Sequence, residues 1–332
     1  MQAYDRISRY KAALMGISIL VVVYGHLLYY HSGLKEYQYL NITEWYTVGS
    51  VDVFLFLSGF GIYHSLKKNR DPLRFMERRL ERLAPSYLPF ILVFCGFMML
   101  TGQMSLLQAL GNLTTFGWWT RMGAQFNWYI PTLLVAYLVS PLLFGLMERY
   151  GKKSLWLFVL LFLLDAACVD TSLMMGVSRF PVYFLGMYLG KEASEGKQPT
   201  KRHIWAAAVL FAVSMTAFYF LVTRWPDGLR KYGFWWHPFL LSTPATLYGI
   251  TWALERFEKW KPTALLNRFL EFLGGKSFEI YLLHLLVYTA GLTFGVHGWK
   301  KWICLAVLGI LAGVGYSCLV DWALKRRRKK AL

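Results

Sequence analysis

Long apolar runs recur along this chain, and they leave few folds open. The first reads AALMGISILVVVYGHLLYY, residues 12–30. A helix crossing ~30 Å of hydrocarbon needs roughly 20 residues of this kind. Ten candidate runs fall at 12–30, 48–66, 84–101, 128–147, 155–171, 177–190, 204–222, 238–254, 272–292 and 302–324. Open strand edges are not tolerated in hydrocarbon, and these runs are too long for barrel strands. The expected fold is therefore all-α: a polytopic membrane protein of about ten transmembrane helices, forming one domain over 1–332 with a short basic tail at 325–332. Composition agrees. Only 16% of the residues are charged, against roughly 25% in a soluble domain. The 14 Trp, 21 Tyr and 24 Phe suit anchoring at two membrane interfaces.

The net charge of +18 invites a nucleic-acid reading, but its distribution argues against one. The cations lie in short clusters between apolar runs, as topology signals do. There is no recognition-helix pattern and no zinc-finger spacing, so nucleic acid is not an expected partner. With the amino terminus inside, KKNRDPLRFMERRLER, ERYGKK, 191–203, 255–269 and the tail KRRRKK all face the cytoplasm. The opposite loops are poorer, holding Lys35, Arg121, the Arg230–Lys231 region and Lys300–Lys301. Both termini are therefore expected in the cytoplasm, where the basic face would meet anionic membrane lipid. The outer segments FGWWTRMGAQFNWY and WPDGLRKYGFWWHP are rich in interface-anchoring aromatics. The first run is too long for a signal peptide and reads as a retained span. Cys95, Cys168, Cys304 and Cys318 lie far apart in apolar surroundings and read as buried structural thiols.

Polar groups inside such runs are expensive and mark function by default. His26 lies about one turn from the outer end of the first run, and Asp52 about one turn inside the second. Consecutive antiparallel helices are usually neighbours, so the two sit at similar depth. A carboxylate beside His26 would orient the ring and raise its basicity, as a general base requires. Ser58, Gly59 and Gly61 allow close helix approach or the passage of a narrow ligand. Arg78, Arg79 and Arg82 cluster before the third run, and the last two are three apart on one helical face, suited to phosphate binding. Pro85 then starts or kinks that run. In KSFEIYLLH, Ser277, Tyr281 and His284 recur at four and three along one face, with Glu279 off it. They read as packing residues or as the wall of a polar tunnel.

The chain resembles the acyltransferase-3 family, bacterial membrane O-acyltransferases that modify cell-surface sugars and related hydroxyl compounds. The resemblance is carried by YKAALMGISILVVVYGH, GSVDVFLFLSGFGIY, FMERRLERLAPSYLP, NWYIPTLLVAYLVSPL, RFPVYFLGMYLG and KSFEIYLLH, in that order. It implies a ten-helix unit in the bacterial inner membrane. It also implies an acyl-CoA donor, acetyl-CoA in the simplest case, and a carbohydrate or other hydroxyl acceptor at the outer face. The family's essential histidine matches His26, and its arginine pair matches Arg79 and Arg82, which would hold the CoA phosphates. An arginine often stands eleven residues before that histidine. Here the position is Met15, and Lys11, one turn earlier, reaches a similar place. Trp128, Tyr129 and the outer aromatic segments would line an acceptor cleft.

The residues fit that chemistry. Acyl transfer from a thioester needs a base and a hydroxyl, and no metal. The chain has neither HExxH nor a G-x-S-x-G elbow. His26 would act as base or as transient acyl carrier, with Asp52 orienting it. Two other readings compete: a transporter for an anionic or sugar-like solute, and an inactive scaffold of the same fold. A transporter often shows paired halves with matching helix breaks, and no such symmetry is visible. The acyl group, the acceptor and the oligomeric state are not written in the sequence.

Overall fold

The computed structural model describes residues 1–30, 38–123, 125–232 and 236–330. It is 84% helical and has no strand among those residues. Lys35 and residues 233–235, both in expected outer loops, lie outside the described residues. The first half of the chain forms α1 (Ala3–Arg9), α2 (Lys11–Tyr30), α3 (Gln38–Thr47), α4 (Gly49–Lys68), α5 (Pro72–Leu100), α6 (Leu106–Leu113), α7 (Phe116–Trp119) and α8 (Tyr129–Tyr150). The second half forms α9 (Leu157–Ala167), α10 (Met174–Val177), α11 (Phe180–Ser194), α12 (Lys201–Arg224), α13 (Pro226–Lys231), α14 (His237–Arg256), α15 (Lys261–Gly275), α16 (Ser277–Thr293) and α17 (Trp299–Lys330).

Among the described residues, six runs are long and apolar enough to cross a bilayer: Lys11–Tyr30, Ile42–Lys68, Pro72–Leu100, Tyr129–Ala167, Lys201–Arg224 and Trp299–Arg326. That is fewer than ten because the other expected spans are short, polar or continuous with a neighbour. The 11-residue α9 follows α8 through a 3-10 turn, Gly151–Trp156. α11 has 15 residues and α16 has 17. α14 has 20 but includes two prolines and several Ser and Thr. The expected ninth span breaks at Lys276, which separates α15 from α16. α15 occupies part of an expected cytoplasmic loop and packs on α2, where Gly16 lets the Leu270 carbonyl approach and Gly274 admits that of Ala12.

α5 also begins earlier than the apolar run suggests. Asp71 caps it, accepting from the backbone N–H of Leu73 and Arg74, and Pro72 occupies the first turn. Both features favour a helix start. The helix then continues through Pro85 and Pro89. Arg79 and Arg82 consequently stand on the same rod as the membrane-crossing segment. Lys11 and Leu324 line one cavity, so the two termini lie at the same end of the bundle. At that end the amino terminus and Arg6 pair with Glu255, and Arg9 with Glu258. Of the cysteines, Cys95 alone is buried; Cys168 is half-buried, and Cys304 and Cys318 point outward from α17.

α4 packs closely against α11. Gly59 of α4 accepts the backbone of Tyr183, while Gly186 and Gly190 of α11 accept the carbonyls of Phe56 and Phe60. Small residues let helix backbones meet in this way when lipid supplies no hydrophobic drive between them. A methyl at Gly186 would strike the Phe56 carbonyl, whereas Gly145 of α8 faces open space. Gly186→Ala is therefore expected to lose about 1–3 kcal/mol through overpacking. Gly145→Ala should be neutral or slightly stabilising through helix propensity. Thermal unfolding of both variants in detergent checks this, and equal melting temperatures would contradict the packing account.

Candidate active site

α2 and α16 each contribute an imidazole, and the two meet. His26 Nδ1 lies 2.8 Å from His284 Nε2, with the ring planes 12° apart. His284 Nδ1 lies 2.8 Å from the Ile280 carbonyl oxygen, one turn back on the same helix. A carbonyl can only accept, and its second lone pair is available beside the helical bond. In the neutral pair His284 Nδ1 must therefore carry its proton, which leaves Nε2 as an acceptor. His26 Nδ1 must in turn donate, so His26 Nε2 is left with a bare lone pair. No described residue hydrogen-bonds that nitrogen. His284 is fully buried, and His26 is half-buried. Aromatic rings wall the pair: Tyr288 stands edge-on to His284 at 5.6 Å, and Tyr30 edge-on to His26 at 6.2 Å. The Tyr288 hydroxyl donates to the Val23 carbonyl at 3.1 Å and ties α16 to α2.

A cavity of about 430 Å³ opens beneath the pair, toward the end that carries the termini. Lys11, Arg79 and Arg82 line its mouth region, and Ser58, Tyr129 and Tyr281 its deeper wall. His26 and His284 are not in the lining. Tyr281 lies between, with its ring 5.7 Å from that of His284 and 5.2 Å from that of Tyr129. Arg79 lies over the rings of Phe75 and Tyr137, at 5.2 and 5.9 Å. Lys11 reaches across to Gly61 of α4, where a methyl would approach its Nζ to 2.8 Å. None of the three cations has an ion-pair partner among the described residues. Other cations at this end, Arg6, Arg9 and Arg70, are paired with glutamates. The cavity's own carboxylates are Glu81, Glu279 and Asp321. Glu279 accepts from Ser86 Oγ at 2.6 Å, and the other two are exposed. Arg78, expected beside Arg79 and Arg82, is exposed and outside the cavity lining. One residue of rotation, about 100°, turns it off their face. Ser277 and Glu279 both line the cavity although they do not share a helical stripe.

Asp52 does not pair with His26. Its two carboxylate oxygens accept from Nη1 of Arg179 at 2.7 and 2.8 Å, and both side chains are 1% exposed. The reason is helical phase. Val51, Phe54 and Ser58 of α4 face the cavity, whereas Phe56 and Gly59 face α11, and Asp52 falls on that second stripe. Trp236 covers the Arg179 guanidinium at 3.7 Å, and Trp128 stands 5.8 Å from it. Trp128 thus packs on a buried ion pair, while Tyr129, its neighbour in sequence, lines the cavity. Arg179 escaped the sequence reading although RFPVYFLGMYLG contains it; a lone arginine opening an apolar run was its signal. No described residues form a group of three or more His, Cys, Asp or Glu placed to hold a metal ion.

These features define a polytopic helical protein with a polarised imidazole pair inside the bundle and a cationic cavity leading toward it. Residues 13–322 match the acyltransferase domain profile, and the chain belongs to the acyltransferase-3 family of membrane acyltransferases. Comparison with curated proteins and with solved structures gave no match.

Breaking a buried ion pair leaves an uncompensated charge and typically costs about 3–5 kcal/mol. Asp52→Ala and Arg179→Ala should each destabilise the bundle on that scale, and Asp52→Leu combined with Arg179→Met should recover most of the loss. Unfolding of the three variants measures this. A catalytic Asp52 would give the opposite pattern: a stable Asp52→Ala protein without activity.

Proposed function

We propose that the chain is an O-acyltransferase moving an acyl group, acetyl in the simplest case, from cytoplasmic acyl-CoA to a hydroxyl of a carbohydrate or related acceptor at the outer face. It would cross the bacterial inner membrane ten times as a single domain, through α2, α4, α5, α8, α9, α11, α12, α14, α16 and α17, with both termini cytoplasmic. The observation that carries this reading is the bare Nε2 of His26 above a cavity with three unpaired cations near its mouth.

Lys11, Arg79 and Arg82 would hold the phosphates. Arginine suits this through its planar fork of donors, and Lys11 supplies further charge one turn before Met15, the position at which the family often has arginine. The pantetheine arm would rise through the cavity past Tyr129 and Tyr281. His26 Nε2 takes the proton from the acceptor hydroxyl as its oxygen attacks the thioester carbonyl carbon. The carbon–sulfur bond then breaks, and His26 returns the proton to the departing sulfur. Reaction inside an aromatic enclosure keeps bulk water from competing for the acyl group.

Two variants test the two ends of this layout. His26→Ala should lower transfer from labelled acetyl-CoA by about 100-fold or more, the usual contribution of a positioned base, while CoA still binds. Arg79→Ala combined with Arg82→Ala should weaken CoA binding on the order of 100-fold or more, because two charge-assisted hydrogen bonds worth roughly 1.5–3 kcal/mol each are lost. Activity assays and calorimetry on purified protein read both. Near-normal turnover in the first variant, or unchanged CoA affinity in the second, would sink the corresponding role.

A further inference from the structure

His284 lines no part of the cavity, yet both of its ring nitrogens are engaged. We propose that His284 is a positioning residue that fixes the proton of His26 on Nδ1, and that Gly309 and Gly313 of α17 hold it in register. The first half concerns a tautomer and stands on geometry alone; its consequence for turnover rests on the reading of His26 as base.

In water a neutral histidine side chain prefers its proton on Nε2. In a protein the choice is set by what the other nitrogen bonds. A lone His26 would thus carry its proton on the nitrogen that has to receive one. The relay from the Ile280 carbonyl through His284 reverses this preference. It does so without net charge: a carboxylate at position 284 would also accept from Nδ1, but it would need a counter-ion inside the bundle. His284 is 0% exposed, so nothing but the helix and its neighbours decides where its ring lies.

α17 supplies the constraint. A methyl at Gly309 would stand 2.8 Å from both Cα and Cβ of His284, and one at Gly313 would stand 2.7 Å from the backbone nitrogen of Ile280. The two glycines, four apart on one helical face, therefore seat against the two residues of α16 that form the relay. Neither obstacle is the far end of a flexible side chain, so a methyl at either position must push α17 off α16. Gly315, two residues further on, faces open space. Close approach through small residues is common between membrane helices; here it falls where a ring orientation is set.

The test is nitrogen-15 NMR of the purified full chain, labelled at histidine, in detergent micelles, with the His26 signals assigned by their loss in His26→Gln. The expected result is a protonated Nδ1 and a bare Nε2 on His26 in the unaltered protein. His284→Ala should move the proton to Nε2 and lower kcat by about 10–100-fold, the range lost when a partner orienting a metal-ligating imidazole is removed, with KM for acetyl-CoA unchanged. His284→Gln, whose Oε1 can stand where Nε2 stands, should keep the proton on Nδ1 and restore most of kcat. Gly309→Ala should shift the tautomer, and Gly315→Ala should not. A proton on Nε2 in the unaltered protein overturns the proposal, whatever the variants do. So does a His284→Ala spectrum with the proton still on Nδ1. Should His284→Ala not fold, the unaltered protein and His284→Gln still decide. A transfer-competent His26→Ala would remove the base assignment and leave the tautomer result standing, so the two failures are distinguishable.

Discussion

A polar side chain inside a bundle surrounded by hydrocarbon must find its partner on another helix, and this requirement organises the protein. Two such pairings stand out at depth. Asp52 and Arg179 join α4 to α11, and His26 and His284 join α2 to α16. Both need helix backbones to come close, and glycines permit it: Gly59, Gly186 and Gly190 at the first junction, Gly309 and Gly313 beside the second. In the ion pair both carboxylate oxygens of Asp52 are engaged and Trp236 covers the guanidinium, while Nε and Nη2 of Arg179 have no hydrogen-bond partner among the described residues. The imidazole pair is open at one nitrogen. The ion pair leaves only guanidinium donors open, which cannot take up a proton, whereas the imidazole pair leaves a lone pair that can. Both would otherwise look alike, as ionisable residues in apolar runs.

Much of this could be read from the sequence. The apolar runs, the clustered cations, His26, and the Arg79–Arg82 spacing each follow from local periodicity and charge, and they led to the same family that the domain match supports. What could not be read was which face of a helix turns toward which neighbour. Asp52 sits at a depth close to that of His26, but a rotation of α4 gives it to α11. His284 and His26 lie 258 positions apart, and no local rule links them. The break at Lys276 was hidden because apolar residues continue on both sides of it. α15 resembled a loop because charged residues flank its short amphipathic face. The span count differs because α9, α11 and α16 have 11, 15 and 17 residues, fewer than the roughly 20 that a bilayer-crossing helix needs.

The placement of charge gives the layout a direction. Lys11, Arg79 and Arg82 gather at the end of the bundle that holds the termini, and the imidazole pair lies on the far side of Tyr281. A donor held by its phosphates and an acceptor arriving from the other side would meet at His26 without sharing a compartment. The rings of Tyr129 and Tyr281 line the cavity on the side of the imidazole pair, an apolar wall past which the donor arm would run.

Sidedness is the most direct measurement of this claim. Purified protein is reconstituted in sealed vesicles, its orientation is established by protease protection of the tail, and labelled acetyl-CoA is offered to one face at a time with a carbohydrate acceptor on both sides. The account requires that label supplied to the face bearing Lys11, Arg79 and Arg82 appears on acceptor in the opposite compartment, and that label supplied to the other face is not transferred. Equal use of acetyl-CoA from both faces, or product confined to the compartment that received the donor, would contradict it.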